Sequence, residues 1–466
     1  TPLAYAHTMV DYVPLAMEYG KLGGLDHTTT LIKAIRSERG DDKVLLLDGG
    51  DTWQGSYTSL KTQGADMVEV MRALGTEAMV GHWEFTFGQD RLKELIDKLG
   101  YPFLGSNVFD TEWDEPVFES TAFFEKGGVS IAVIGQHFPY TPIANPSYMV
   151  KGWSFGIRPE VLQKNVNKAK KQGAEIVVLL SHNGFDVDQK LASMIDGIDV
   201  ILTGHTHDAI PKGIRINDTL LLSSGSHGKY LGRIDLKVKN GKVVDTSSNL
   251  IPVFSDVIPP DPDMTNLINK IRAPYQEVCN RVIGKTETLL YRRGNFNGSW
   301  DDVICDTIMQ ERDTEISLSP GFRWGTTLLP GQKITIDDIY SQTSMNYPEV
   351  YRIEMTGKMI KEILEDVCDN IFNPDPFFQQ GGDMVRVGGL TYTCHPKNKM
   401  GNRISNLRII SSDKPIESNK NYVVGGWGSV NQNVKGPPIY NLLENYISEK
   451  KIIKNNNLEA VKIVGM

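Results

Sequence analysis

Three observations predict an α/β chain of two domains. Short apolar runs alternate with helical spacings through the first half, as in a largely parallel sheet covered by helices. A proline-rich break, Ile258-Pro259-Pro260-Asp261-Pro262, then interrupts the chain, and a second set of strand and turn signals follows it. The length, 466 residues, also exceeds the roughly 100–200 of a single domain.

Taken in order, the apolar run at residues 44–47 ends in Asp48-Gly49-Gly50-Asp51. Residues 65–74 have helical spacing. The run at 77–80 ends in Gly81-His82-Trp83-Glu84, and 89–99 form an amphipathic helix pattern. Residues 129–134 read as a buried strand and 159–172 as a helix. The run at 175–180 ends in Ser181-His182-Asn183, and 187–195 are helical. The run at 199–202 ends in Thr203-Gly204-His205-Thr206-His207. Residues 223–256 show β-branched alternation around an Asn240-Gly241 turn, and 264–281 read as one helix. The domain boundary is placed at the proline-rich break.

Composition narrows the classes. Hydrophobic residues at 40% and charged residues at 23% exclude a long disordered or collagen-like chain. No apolar run reaches the roughly 18 residues of a membrane-spanning helix. A net charge of −8, spread along the chain, argues against nucleic acid as the main partner. Cys279, Cys305, Cys368 and Cys394 lack Cys-x-x-Cys spacing, which argues against a zinc ribbon or redox motif; they read as buried free thiols or one disulfide. The start, Thr1-Pro2-Leu3-Ala4-Tyr5, reads as internal or processed.

Four polar clusters follow apolar strand runs. Strand C-terminal ends in α/β sheets face a common crevice, so these clusters are expected to converge. They supply Asp51, His82, His182, His205 and His207, a metal-ligand inventory of one carboxylate and four imidazoles. Such donors without thiolates suit manganese, iron or zinc, and a carboxylate can bridge two ions. The ligand atoms are expected within one cluster about 8 Å across.

Gly-Asp, a Gly-His-Trp-Glu element, Ser-His and Gly-His-x-His, in this order, resemble the motifs of calcineurin-like metallophosphoesterases. Pro320-Gly321-Phe322-Arg323, Ile336-Asp337-Asp338-Ile339-Tyr340 with Thr356-Gly357, and Gly381-Gly382 to Gly388-Gly389-Leu390 extend the likeness to the 5′-nucleotidase superfamily. Asp48 to Trp53, His82-Trp83-Glu84, Ile134 to Tyr140 and Gln380 to Arg386 resemble the SoxB family of sulfur-oxidation thiosulfohydrolases along the whole chain.

The resemblance implies an N-terminal metallophosphoesterase-like α/β sandwich, truncated at its first strand, plus a smaller α+β 5′-nucleotidase C-terminal-type domain. The expected division is residues 1–257, a linker and connecting helix at 258–283, and a substrate-binding domain at 284–466. The implied activity is a periplasmic, manganese-dependent thiosulfohydrolase with two divalent ions. Its substrate is the cysteine S-thiosulfonate of the Sox pathway's sulfur-carrier complex (SoxYZ-type), without nucleic acid or membrane partners. Arg323 matches the substrate arginine; Arg386 and Tyr140 are further candidates for the substrate site. His82 stands where an Asn ligand would be, and Trp83 where nucleotidases keep a proton-transferring His. The superfamily's first Asp-x-His is absent before Asp51: Asp26-His27 has the wrong spacing, and His7 lacks an Asp two residues earlier. On this pattern one ion keeps Asp51, His82, His182 and His205, and the other Asp51 and His207. The alternatives are a 5′-nucleotidase or phosphoesterase, and a metal-binding chain without turnover.

Overall fold

A computed structural model describes residues 12–292, 294–430, 434–455 and 460–465. His7 lies outside them. The chain forms two compact units, one built from Pro14–Gln54 and Lys61–Ala273, the other including Gly55–Leu60 and the chain from Pro274.

The first unit is α/β. Its main sheet has six strands in the order Thr121–Lys126, Val129–Gln136, Ile176–Ser181, Val200–Thr203, Thr219–Ser223 and Ile214–Ile216. The four inner strands run parallel, and the two edge strands pair antiparallel. Ile176–Ser181 is buried at every position. Its continuous apolar run reflects a strand covered on both faces. Leu47–Asp48 and Ala78–Met79 form a separate parallel pair. Tyr230–Lys239 and Lys242–Pro252 make a long hairpin closed at Asn240-Gly241, as the turn signal predicts.

The helices follow the expected spacing. Gln89–Leu99 buries Leu92, Leu95 and Leu99 along one stripe, in a core with Trp53, Met79 and Phe85. Ala65–Leu74, Pro159–Lys171 and Phe185–Met194 are likewise helical. The helix expected over 264–281 is shorter. It runs Pro262–Arg272, capped by Asp261, whose side chain accepts the Met264 N–H at 3.1 Å. A 3₁₀ turn, Ala273–Tyr275, and a short helix, Gln276–Cys279, follow. Pro274 has no N–H to continue the ladder, so the periodicity outlasts the helix.

The second unit is α+β. Its four-stranded sheet has the order Tyr351–Thr356, Asn421–Gly426, Ile316–Ser319 and Arg386–Gly388. Leu390–Cys394 lies in a second sheet between Ile404–Ile409 and Val461–Ile463. The helix Gly357–Phe372 contributes Ile360, Leu364 and Cys368 to a core shared with Ile316, Leu390 and Val424. Among the described residues no helix is long and apolar enough to cross a membrane.

Candidate metal centre

The four polar clusters of the first unit converge. Asp51, His82, His182 and His205 each offer a ligand atom, and these atoms lie within 4.8 Å of one another. Parallel pairing explains this. Asp51 follows Leu47–Asp48 and His82 follows Ala78–Met79, the next strand in that pair. His182 and His205 follow Ile176–Ser181 and Val200–Thr203, neighbours in the main sheet. Strand direction therefore delivers all four side chains from C-terminal ends.

Local backbone then aims them. Asp51, His205 and His207 have φ of 64°, 73° and 61°, in the left-handed region that non-glycine residues seldom occupy. Such strain persists only where surrounding contacts impose it. Gly50 and Gly204 are required by space. A Cβ on Gly50 would meet the Val80 carbonyl at 2.8 Å, and one on Gly204 the His182 Nδ1 at 3.0 Å. Any side chain there would push the His182 ring out of place.

The carboxylate of Asp51 sits among the imidazoles. Its Oδ1 lies 3.1 Å from His82 Nδ1, and its Oδ2 lies 3.0 Å from His182 Nε2 and 3.8 Å from His207 Nε2. Both oxygens thus face ring nitrogens, which suits a bridging role. His182 donates its Nδ1–H to the Gly49 carbonyl, which fixes the ring so that Nε2 faces Asp51 Oδ2 at 3.0 Å. Burial disfavours charge on Asp51, but the neighbouring His182 and His82 outweigh it and hold the carboxyl well below the usual range. Burial likewise opposes charging His182, yet Asp51 and the Gly49 carbonyl raise its pKa. His82, His182 and His205 are buried. Three enclosed imidazoles and one carboxylate, without thiolate, fit a borderline divalent ion.

Further residues build this arrangement without having been singled out from sequence. Glu84, fully buried, accepts the backbone N–H groups of Thr52 at 2.6 Å, His82 at 2.7 Å, Asp51 at 3.3 Å and Trp53 at 3.4 Å. One side chain thus ties two ligand loops together. Burial, then the Asp51 charge, pushes its pKa up to about 7. Asp48 accepts the Gly50 N–H and the Thr52 hydroxyl within the Asp51 turn. His137 accepts the Gly81 N–H on Nδ1 at 2.8 Å, and burial lowers its pKa to about 3, so the ring is neutral. Phe138 packs with its ring centroid 4.1 Å from those of His82 and His205. Glu84 stood in the Gly-His-Trp-Glu element, and His137 and Phe138 in the Ile134-to-Tyr140 element. Those were the available signals.

The other candidates fall as follows. Trp83 donates its backbone N–H to Asp51 Oδ1 at 3.2 Å, and its ring centroid lies 4.9 Å from that of His82. Tyr140 packs edge-on against Phe138. His27 places Nδ1 2.6 Å from the Ile258 carbonyl. In the second unit, Arg323 lies half-buried in a loop whose Gly321 carbonyl accepts the Asp383 N–H at 3.1 Å. Arg386, expected at the substrate, is instead fully enclosed. Its guanidinium pairs with Asp383 at 3.0 Å and Asp301 at 3.2 Å, and Asp301 also holds Arg292, which donates to the Pro320 carbonyl. Burying a charge is tolerated only when it is paired. Arg386 therefore pairs with Asp383 and Asp301 inside the second unit, next to the segment that meets the Arg323 loop.

His82→Ala is expected to weaken metal binding by about 100-fold or more, since even outer-shell losses cost 10–100-fold. Trp83→His is expected to leave affinity within a few-fold. Calorimetric titration of the metal-free proteins measures both, and equal losses would show that the alignment of this motif is wrong.

The family of the 5′-nucleotidase C-terminal domain matches residues 282–429. The chain is 24% identical to the 5′-nucleotidase of Bos taurus, over 93% of this chain and 84% of that protein. The human 5′-nucleotidase is 23% identical, with the same coverage. Among solved structures, a 5′-nucleotidase precursor from Thermus thermophilus superposes with a TM-score of 0.83 at 19% identity, over 96% of this chain and 94% of its own. The sulfate thiohydrolase SoxB of Thermus thermophilus, solved with glycerol, superposes with a TM-score of 0.95 at 36% identity, over 100% of this chain and 88% of its own. Full-length agreement at that identity, together with the convergent histidine and aspartate cluster, shows that the chain belongs to the SoxB family of hydrolases within the 5′-nucleotidase superfamily.

Proposed function

We propose that the protein hydrolyses a cysteine S-thiosulfonate on a sulfur-carrier protein, releasing sulfate and leaving a persulfide on the carrier cysteine. Water oxygen joins the sulfonate sulfur, the S–S bond breaks, and the sulfane sulfur leaves with the electron pair. Trp83 carries this reading. It stands beside His82 and Asp51, where the resemblance places a proton-transferring His in nucleotidases. Indole does not transfer protons at neutral pH. An alkoxide leaving group therefore finds no acid at this position, whereas a thiol, with a pKa of about 8.5, leaves readily as an anion, and a persulfide more so.

Asp51, His82, His182 and His205 would hold one divalent ion, and Asp51 with His207 a second. Manganese is our assignment for both, and when bound they supply Lewis acidity. Glu84 and His137 keep the ligand loops in register. Arg323 supplies a planar guanidinium to the tetrahedral anion, a role the family resemblance assigns to it. The partner is the sulfur-carrier complex of the Sox pathway, and the compartment is the periplasm.

Sulfate and phosphate release from one metal-loaded sample separate this reading from a phosphoesterase, which the 5′-nucleotidase relatives support. We expect sulfate from the thiosulfonated carrier and little phosphate from AMP. Efficient AMP hydrolysis without sulfate release defeats the proposal. Arg323→Ala is expected to cut carrier turnover by an order of magnitude or more, because a charged hydrogen bond contributes about 1.5–3 kcal/mol.

A further inference from the structure

We propose that Cys368 and Cys394 form a disulfide that ties the helix Gly357–Phe372 to the strand Leu390–Cys394 in the second unit. Their sulfurs lie 3.6 Å apart, in van der Waals contact, and both residues are wholly buried in one apolar core. Disulfide sulfurs lie about 2.05 Å apart, so bonding draws them together by roughly 1.5 Å. Cys394 is the last residue of its strand, and Cys368 stands in the closing turns of its helix.

The reaction balances with an oxidising disulfide of a protein or of glutathione. Each thiol gives up a proton, two electrons pass to the donor disulfide, and that disulfide leaves as two thiols. Because both cysteines are enclosed, the exchange occurs while the chain folds. The link closes a loop through Gln380 to Arg386, the segment whose Asp383 holds the Gly321 carbonyl and whose Arg386 pairs with Asp301. It therefore restrains both ends of the segment that supports the Arg323 loop. Cross-linking also narrows the unfolded ensemble, which raises the melting temperature. None of this depends on the substrate proposed above.

The test is thiol counting. The full chain is refolded with oxidised glutathione, desalted, denatured without reductant, alkylated and digested for mass spectrometry. We expect two of the four cysteines to be alkylated and a peptide linking Cys368 to Cys394. The oxidised protein should melt several degrees above the reduced one, with the difference abolished by Cys368→Ala and kept by Cys305→Ala. Four alkylated cysteines after oxidation, or a link through Cys279 or Cys305, overturns the proposal. The count uses the unmutated chain, so poor folding of a variant does not affect it.

Discussion

Asp51→Asn is expected to strip the metal centre and reduce turnover by two to three orders of magnitude. Asp51 is the one carboxylate of the cluster, with oxygens 3.0–3.1 Å from His182 and His82. Removing one partner of a buried charge pair costs about 3–5 kcal/mol, and each 1.4 kcal/mol is about tenfold. Asparagine isolates the charge, because it tolerates the left-handed backbone, φ 64°, that alanine would strain. The metal-free variant should therefore melt below the metal-free parent, by what the lost pairing with His182 and His82 costs, while its metal content after dialysis falls below a tenth. Full metal retention would remove Asp51 from the ligand set.

Glu84→Ala is expected to act on stability first and metal second. The substitution strands four backbone N–H groups in two loops that meet at the centre. Each unsatisfied buried donor costs about 1–3 kcal/mol. A loss of about 4 kcal/mol or more follows, or roughly 10 °C in the melting transition of the first unit. Metal affinity should fall 10–100-fold, in line with other groups that orient ligands. Scanning calorimetry with and without chelator measures both. An unchanged melt with unchanged affinity would show that the four contacts carry no weight.

Legibility from sequence followed the range of the interaction. The runs before Asp51, His82, His182 and His205 were visible because strand burial writes itself into consecutive residues. The candidate ligand residues were visible because four polar clusters at successive strand ends are hard to explain as core packing. The two-domain α/β organisation was visible from the change in pattern past the proline-rich break. The helix expected over 264–281 failed for a local reason, Pro274, whose missing N–H the apolar spacing does not record.

What the tertiary structure decided lies between residues far apart in the chain. Glu84 was present in a recognisable motif, but the backbone N–H groups that donate to it include a loop more than thirty residues away. Arg386 in a loop motif resembles an anion contact; only packing shows it enclosed between Asp301 and Asp383. Of four cysteines without informative spacing, only the fold places the sulfurs of Cys368 and Cys394 in contact. The sequence by itself determined which residues are candidates for the metal centre and on which strand ends they stand, because periodicity is a local property. The fold decided which of them meet and which are enclosed, because charge burial and sulfur contact depend on neighbours that local spacing does not encode.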